Sequence, residues 1–361
     1  MTKDIGILGA SGLVGKEALY ALRKKGYTLL IGARNIQNLE YVKKELCMDI
    51  EIMQVDVFIP KQVEEFCKQC RIVVNCTAPA SAIGTRIIKE CVKLGIDYID
   101  PFGEGEIERY VAENNESIQE KKNRIILSAG TYPGLSEILF KYVAEQYGNE
   151  NLSIKEYFYG NGYFSYGATC DVLSSMLSGK AKSMSCVQRG KIVPYTTEFG
   201  ESIVIDDEIG KIYPYPIISK EFYEVCKNAK VKEGCFFNTF TDMNSMATFF
   251  EIGSQIYHSD KADVYDFADE LKALYDGRKI ENEKTIFLFW IGDMTETVAE
   301  GKKIVFEYLC NWNALSGYIC GLTAEWCLEK RISKTGVYRI HELENIDKFV
   351  ERIPCKVKKL K

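Results

Sequence analysis

Three glycines spaced three residues apart, Gly9, Gly12 and Gly15, follow a short apolar run near the start of the sequence. Glycines at this spacing let the backbone turn tightly, approach a pyrophosphate and pack the next helix closely on its strand. The first turn of that helix offers unpaired N–H groups to phosphate oxygens. The spacing alone is a weak signal, because such turns also occur without a ligand. The dinucleotide contacts that it predicts are Gly9, Ser11, Gly12, Leu13 and Val14.

Arg34 stands where the second predicted strand ends. At this point, about 20 residues beyond the glycines, NAD sites commonly carry Asp or Glu to hold the ribose hydroxyls. A carboxylate would repel a 2′-phosphate, whereas a guanidinium pairs with it bidentately and stacks beside adenine. The arginine and the missing acid together predict NADPH rather than NADH as the cofactor. The alternative is that Arg34 is only a solvated loop charge.

Two further strand ends carry residues suited to the same ligand. Asp56 can accept a hydrogen bond from the adenine amine, and the apolar Val57 can pack on the ring. The fourth predicted strand ends in Asn75, and the small residues after it let the backbone pass close to a ribose or nicotinamide. Ligands of such sheets bind outside the carboxyl ends of the strands. The contacts predicted here are Asp56, Val57, Cys76, Thr77, Ala78 and Pro79.

Hydride transfer requires the fold to align the nicotinamide with its acceptor and to supply a proton. Tyr98 and Asp100, at the end of the fifth predicted strand, are candidate catalytic residues. A tyrosine that packs on the next helix and a turn-forming aspartate before proline are at least equally reasonable interpretations. Cys76 suggests a nucleophile, but the sequence shows no neighbouring base to activate it, so a small packing residue is favoured.

Metal and nucleic-acid chemistry are disfavoured by composition. The chain has only two histidines, His258 and His341, and the single C-x-x-C pair, Cys67 and Cys70, has no second pair at zinc-ribbon spacing. We therefore expect no metal site. A net charge of −5 without a strong block of one sign argues against nucleic acid and anionic membranes as partners. Thirteen cysteines, with no room before the first strand for a signal peptide, predict a cytoplasmic protein with free thiols.

Strands and helices alternate over the first 128 residues, which predicts a doubly wound parallel sheet, the Rossmann architecture. The strands are predicted at Asp4–Gly9, Thr28–Ala33, Ile50–Val55, Arg71–Asn75, Asp97–Ile99 and Arg124–Ser128. Helices are predicted near Leu13–Lys25, Gln37–Leu46, Lys61–Lys68, Ala82–Leu94 and Glu106–Lys121.

Beyond Pro133 the sequence favours a second, α+β domain built on a mostly antiparallel sheet, because long apolar runs follow one another with few helices between them. Strands are predicted at Leu152–Tyr159, Gly234–Thr241, Ala247–Tyr257, Thr285–Ile291 and Lys302–Leu309. Helices are predicted at Ser136–Tyr147, Tyr166–Leu177, Lys261–Leu274, Leu315–Leu328 and Ile346–Arg352.

Several segments resemble the saccharopine dehydrogenase-type reductases. They are the G-A-S-G-L-V-G turn, V-V-N-C-T-A-P, Y-I-D at Tyr98 with the following Gly103, A-G-T-Y-P-G-L from Ala129, Gly167-Ala168-Thr169, and the late Gly-Val-Tyr before a short acidic helix. The glycine turn is generic, and the combination is moderately specific. Thr131-Tyr132 replaces the Phe-Asp common in members that act on saccharopine, and the second domain is shorter, so a related amino-acid-derived imine is favoured over saccharopine.

The resemblance implies an NAD(P)-binding domain over 1–130 with the tail 318–361, and a substrate and dimerisation domain over 131–317. It also places Gly130, Pro133 and Gly134 beside the nicotinamide and implies a homodimer. Tyr132 in the same loop is then a candidate catalytic proton donor, although in a chain with 22 tyrosines its position there can also be accidental. The leading hypothesis is NADPH-dependent reduction of a C=N bond in a small molecule derived from an amino acid. The alternatives are reduction of an activated C=C or thiazoline bond, and an NADPH-binding regulator that reduces nothing.

Overall fold

The computed structural model describes residues 2–47, 49–103, 105–178, 181–196, 201–205, 208–258, 264–273, 283–293 and 301–360. The chain divides into two compact units, one formed by Met1–Leu135 with Asn313–Ile353 and the other by Ser136–Trp312 with Pro354–Lys361. Over the described residues, no helix has the length and apolar character needed to cross a membrane.

The first unit begins with alternating strands and helices. The strands are β1 (Lys3–Leu8), β2 (Leu29–Ala33), β3 (Glu51–Gln54), β4 (Cys70–Asn75), β5 (Asp97–Ile99) and β6 (Arg124–Leu127). The helices are α1 (Leu13–Leu22), α2 (Ile36–Leu46), α3 (Pro60–Cys67), α4 (Ala80–Ile83), α5 (Arg86–Leu94), α6 (Glu106–Glu113) and α7 (Asn115–Glu120). The helix predicted over Ala82–Leu94 is interrupted at Gly84, whose φ of +55° a right-handed helix does not contain.

The second unit contains a larger share of strands. They are β7 (Ser153–Gly160), β8 (Lys182–Ser183), β9 (Ser185–Gln188), β10 (Lys191–Pro194), β11 (Ile203–Val204), β12 (Lys211–Ile218), β13 (Glu233–Phe240), β14 (Thr285–Gly292) and β15 (Lys302–Tyr308). The helices are α8 (Leu135–Tyr147), α9 (Tyr166–Ser178), α10 (Lys220–Asn228), α11 (Met243–His258) and α12 (Val264–Ala273). Residues 261–263 and 274 of the predicted Lys261–Leu274 helix lie outside the described residues.

The tail completes both units. Helix α13 (Trp312–Leu328), β16 (Gly336–Arg339), a 3₁₀ turn (Ile340–Glu342) and α14 (Ile346–Glu351) precede the last strand, β17 (Lys356–Leu360). Strand β16 extends the first sheet, whose order is β16-β6-β5-β4-β1-β2-β3 with every pair parallel. Strand β17 instead pairs antiparallel with β15. We expected residues 318–361 in the first domain, but the pairing of β17 brings the last residues into the second unit.

Apolar residues explain the central strands of the first sheet. Ile5, Ile7 and Leu8 of β1 are fully buried, as are Val73 and Val74 of β4. Near-continuous apolar strands are typical of parallel sheets that are covered on both faces. The predicted Rossmann architecture is confirmed, with its strand order reversing between β1 and β4, where such folds bind nucleotides.

The second sheet is mixed and mostly antiparallel, as predicted. Its order runs β10-β9-β13-β7-β14-β15-β17, with β12 joined to β13 and the short β11 and β8 paired to β12. Only β13 and β7 run parallel among the described pairs. The strand predicted at Ala247–Tyr257 is wrong, because this segment lies within α11 and buries Ile252 and Ile256, which are one helical turn apart.

Candidate cofactor site

The glycine turn joins β1 to α1 and contacts the end of β4. Gly9 has a φ of +76°, and a Cβ there would lie 2.5 Å from the Cys76 carbonyl oxygen. A Cβ on Gly15 would lie 2.3 Å from the Gly9 carbonyl oxygen. Gly12 is the N-cap of α1 and supplies no side-chain cap. The amides at the start of α1 are therefore available to an anion, so the turn fits the pyrophosphate of a dinucleotide.

Arg34 extends from the carboxyl end of β2 with a fixed backbone and an exposed side chain. Its carbonyl accepts from the Gln54 side-chain amide at 2.9 Å, and Asn35 caps α2 by accepting from the Asn38 N–H at 3.2 Å. Among the described residues, no acid pairs with the Arg34 guanidinium. The side chain can therefore meet a 2′-phosphate without first breaking an internal ion pair.

The residues that follow β3 are predicted to contact adenine, and the structure shows what surrounds them. Asp56 accepts from the Phe58 N–H at 3.0 Å and its own N–H donates to Gln62 at 2.7 Å, so this residue fixes the turn before α3. Val57 is only 6% exposed and belongs to the core. Phe58 is 48% exposed and lies under the Arg86 guanidinium, 4.7 Å from its ring centroid. Phe58 and the neighbouring Ile59, which is also exposed, therefore offer apolar surface at this strand end, and neither was predicted from the sequence.

A directed chain of hydrogen bonds links the ends of β4 and β5. The Thr77 hydroxyl and N–H both donate to the Asn75 carbonyl oxygen Oδ1. Asn75 Nδ2 donates to the Tyr98 hydroxyl at 2.8 Å, and that hydroxyl donates to Asp100 Oδ2 at 2.7 Å. The other Asp100 oxygen accepts from the Phe102 N–H at 2.8 Å. Asp100 is thus the terminal acceptor of a chain that begins at the half-buried Thr77.

Burial changes the roles open to two of the predicted catalytic residues. Tyr98 is fully buried, and desolvation, with the nearby Asp100 charge, raises its pKa well above the usual value. Asp100 is 2% exposed, and desolvation raises its pKa to about 6 although three hydrogen bonds oppose the shift. Both side chains are buried, and their role in proton transfer stays a prediction.

The loop after β6 is held tightly within the first unit. A Cβ on Gly130 would lie 2.7 Å from the Pro101 carbonyl oxygen, and Gly134 has a φ of +133°. The Thr131 N–H donates to Ser316 Oγ at 3.0 Å, and that hydroxyl donates to Thr131 Oγ1 at 2.9 Å. Tyr132 is half-buried beside these anchors. Ser316 on α13 was missed because it is far from the loop in sequence.

Cys76 contacts a second thiol, that of Cys320 on α13. The Cys320 thiol donates to the Ala129 carbonyl oxygen at 3.1 Å. Burial first, and then the hydrogen bond with Cys76, raise the pKa of Cys320 well above its usual value. This environment keeps Cys320 protonated, which supports the packing interpretation of Cys76. All thirteen cysteines of the chain are free.

Other thiol groups come together through the fold. Cys67 Sγ lies 3.9 Å from Cys91 Sγ, and burial raises the pKa of the adjacent Cys70 to about 12. In the second unit, Cys186, Glu233 and Cys235 place ligand atoms within 4.8 Å of one another, a group suited to a metal that the sequence did not predict. Pairing of β9 with β13 brings these three side chains together, so their sequence spacing carries no signal.

A family model described as the saccharopine dehydrogenase NADP binding domain matches residues 5–127. The match lies within the first unit and covers less than half of the chain. The match confirms the predicted resemblance and the predicted NADP-type cofactor at the level of this domain.

Curated relatives extend the likeness in part. A probable mitochondrial saccharopine dehydrogenase-like oxidoreductase of Arabidopsis thaliana is 29% identical over 140 residues, covering 35% of this chain and 31% of the relative. A saccharopine dehydrogenase-like oxidoreductase of Mus musculus is 25% identical over 142 residues, covering 34% of this chain and 33% of the relative. The matched region thus spans about a third of these relatives' length.

The fold as a whole also has a solved counterpart. Apo saccharopine dehydrogenase (L-Glu forming) from Saccharomyces cerevisiae aligns over 99% of this chain and 100% of its own with a TM-score of 0.71. The identity is 13%, so this likeness shows a shared fold.

Proposed function

We propose that this chain is an NADPH-dependent oxidoreductase of the saccharopine dehydrogenase-like type that reduces a C=N bond in an amino-acid-derived substrate. The observation that carries the cofactor assignment is Arg34, an exposed cation at the end of β2 where NAD sites carry an acid. The match of residues 5–127 to an NADP binding domain supports it independently.

Each part of the site would have a distinct task. The first-turn amides of α1 would bind the pyrophosphate, and Arg34 would pair with the 2′-phosphate. Phe58 would lie beside the adenine, and the loop from Cys76 to Pro79 would contact the ribose near the nicotinamide. When bound, NADPH supplies the hydride. The chain's task is then to orient the acceptor and to provide a proton to the nitrogen that becomes an amine.

Tyr132 remains our proposed proton donor. It is half-buried in a loop that Ser316 anchors, so its phenol is held on a fixed backbone while part of it stays accessible. General acid catalysis contributes about 10²–10⁴-fold to rate. Tyr132→Phe should therefore lower kcat about 100-fold or more, whereas the dissociation constant for NADPH should not change. Tyr20→Phe, which removes an exposed phenol from α1, is the control.

The reaction class is tested with NADPH carrying deuterium at the transferable position. Purified protein is offered imines formed from 2-oxo acids and amines, then enoyl compounds, then thiazolines. We expect NADPH consumption with the imines and one deuterium on the carbon bonded to nitrogen. Deuterium on a saturated C–C product, or on a thiazolidine, would replace this substrate class with the alternative one. Tight NADPH binding without turnover of any substrate would leave only a regulator.

Two further proposals concern the protein's state in the cell. We propose a cytoplasmic location, supported by thirteen free cysteines, because reducing compartments keep thiols unpaired. We also propose a homodimer, on the resemblance alone. Light scattering on the purified protein tests the second, and a single-chain mass at all concentrations would refute it.

A further inference from the structure

One face of the second sheet brings two thiols and a carboxylate together. Strand β9 pairs antiparallel with β13, and Gln188 lies opposite Glu233, so two residues further along Cys186 lies opposite Cys235. Successive side chains of a strand alternate between the two faces of a sheet, and these four therefore share one face. The ligand atoms of Cys186, Glu233 and Cys235 lie within 4.8 Å of one another, and all three residues are buried.

We propose that Cys186, Glu233 and Cys235 bind a thiophilic divalent cation such as Zn²⁺, and that this ion stabilises the second unit. The composition of the chain led us to expect no metal site, because histidines are scarce and the C-x-x-C pair is single. Here the ligands come from two strands that pair only in the folded chain. The proposal is independent of the cofactor site, whose residues belong to the first unit.

The distances fit a tetrahedral site. Zinc holds a thiolate sulfur at about 2.3 Å and a carboxylate oxygen at about 2.1 Å, which sets these two atoms about 3.6 Å apart. Cys186 Sγ lies 3.5 Å from Glu233 Oε1. Gln188 Nε2 donates to the same oxygen at 2.8 Å. A hydrogen bond of this kind commonly orients a carboxylate that binds a metal, so Gln188 would position Glu233 without touching the ion.

The charges on this face also fit a divalent ion. Burial, and then the hydrogen bond with Cys186, raise the pKa of Cys235 well above its usual value, whereas the positive charge of Lys155 opposes the shift. Lys155 is the neighbour of Cys235 across the pairing of β7 with β13. Two thiolates and a carboxylate exceed the charge of a divalent ion by one negative charge, which the Lys155 ammonium balances. Balance of this kind is needed because an uncompensated buried charge is costly.

Ser153 provides an independent observation on the same face. It pairs with Glu233 in the parallel ladder of β7 and β13, so both side chains lie on one side of the sheet. Its side chain is fully buried, and within the described part of the chain its Oγ has no hydrogen-bond partner. Zinc prefers four ligands, and the group supplies three. Water would be the fourth ligand, and the Ser153 hydroxyl would be its hydrogen-bond partner.

The experiment uses Co²⁺ as a coloured probe of the site. The purified full-length chain is kept under a phosphine reductant, so that its thiols stay free, and receives Co²⁺ either directly or during refolding from urea. We expect one ion per chain and the charge-transfer absorption of a thiolate-bound cobalt ion. Binding should release two protons per ion, one from each thiol, because the thiolate is the ligand. Zn²⁺ should raise the Tm of the wild type, since the ion binds the folded chain.

Variants assign the ion to these residues. Cys186→Ser and Cys235→Ser should abolish the absorption, and Glu233→Gln should weaken binding by more than about 100-fold, above the effect of an outer partner. Gln188→Ala should weaken it by about 10–100-fold. Cys67→Ser is the matched control, because Cys67 is also a buried thiol beside another, with its Sγ 3.9 Å from that of Cys91. Cys67→Ser should bind the ion like the wild type.

Three results would overturn the proposal. They are a wild type without the absorption after both ways of loading, an absorption that survives in Cys186→Ser and Cys235→Ser, and an absorption that is lost in Cys67→Ser. If the serine variants do not fold, Gln188→Ala still decides, because it changes a half-buried residue that is not a ligand, and unchanged affinity there refutes the site. Failure to bind NADPH would overturn the proposed function and leave the metal site standing.

Discussion

Helix α13 packs against α1 through two glycines, and this contact permits a quantitative test. A Cβ on Gly317 would lie 2.2 Å from the Val14 carbonyl oxygen, 2.6 Å from Glu17 Cβ and 2.9 Å from the Ala18 nitrogen. Two of these neighbours are backbone atoms of α1, which cannot move aside as a side chain can. Gly317→Ala therefore forces the helices apart by about 1 Å, which is the shortfall from normal van der Waals contact.

The expected loss of stability follows from two opposing effects. Overpacking of a filled contact costs about 1–3 kcal/mol, and the upper value applies where backbone is struck. Alanine gains about 1 kcal/mol over glycine in a helix. Gly317→Ala should therefore lower the free energy of unfolding of the first unit by about 2 kcal/mol. Because α1 begins at the glycine turn, affinity for NADPH should fall as well.

Gly253→Ala provides the matched control. This glycine also lies within a helix, α11, but a Cβ there would meet only the flexible end of Met176, at 2.5 Å. Its free energy of unfolding should stay the same or rise by about 1 kcal/mol. Urea unfolding measures the loss of stability, and amide hydrogen exchange shows in which of the two units it occurs. The prediction is refuted if Gly317→Ala is as stable as wild type, or if Gly253→Ala has a lower free energy of unfolding than Gly317→Ala.

Three further changes test other parts of the structure. Burial raises the pKa of Asp100 from its usual value of 3.8 to about 6. Between these two pH values the folded chain binds more protons than the unfolded chain, so the free energy of unfolding falls as pH rises through this range. Asp100→Asn should remove about 3 kcal/mol of this pH-dependent fall in the free energy of unfolding, measured by urea unfolding at a series of pH values. If the free energy of unfolding of Asp100→Asn falls with pH as steeply as that of the wild type, the burial argument is contradicted. Cys47 ends α2 with a φ of +48°, a left-handed conformation that strains any residue except glycine. Cys47→Gly should therefore raise the free energy of unfolding by up to about 1 kcal/mol and raise the Tm. A lower Tm would show that the strain is absent. The Arg124 guanidinium donates to Asp97 and to the carbonyl oxygens of Cys327 and Ile332. Arg124→Met should lower the free energy of unfolding by about 3 kcal/mol, because Asp97 stays buried without its positively charged partner. A loss below about 1 kcal/mol would refute this.

The first unit was predictable because its elements carry strong local signals. Apolar strands such as β1 and β4 must be covered on both faces, and glycines at fixed offsets require a tight turn before α1. The edge of the sheet that holds the candidate site follows from the direction of the strands. The hydrogen-bond chain did not follow, because it depends on which strands are neighbours and on how deeply Tyr98 and Asp100 are buried.

The second unit shows where local signals fail. Ala247–Tyr257 is rich in aromatic and β-branched residues, which favour a strand, yet Ile252 and Ile256 pack with Leu173 and Leu271 on one helical face. Contacts with distant helices decide the outcome there. Strand β17 carries mostly lysines and has little apolar character. It is held to β15 in part by an ion pair between Lys358 Nζ and Glu307 Oε2 of β15, which lie 2.9 Å apart. The pairing of that edge could not be inferred from the strand itself.

The central claim, an NADPH site read by Arg34, is tested most directly by equilibrium dissociation constants for NADPH and NADH. Wild type, Arg34→Ala and Arg71→Ala are compared, since Arg71 is also exposed but lies at the opposite end of β4, paired with Asp4 at 3.0 Å. We expect Arg34→Ala to weaken NADPH binding tenfold or more, about 1.4 kcal/mol, with NADH binding unchanged and Arg71→Ala like wild type. An unchanged preference between the two cofactors in Arg34→Ala would contradict the account.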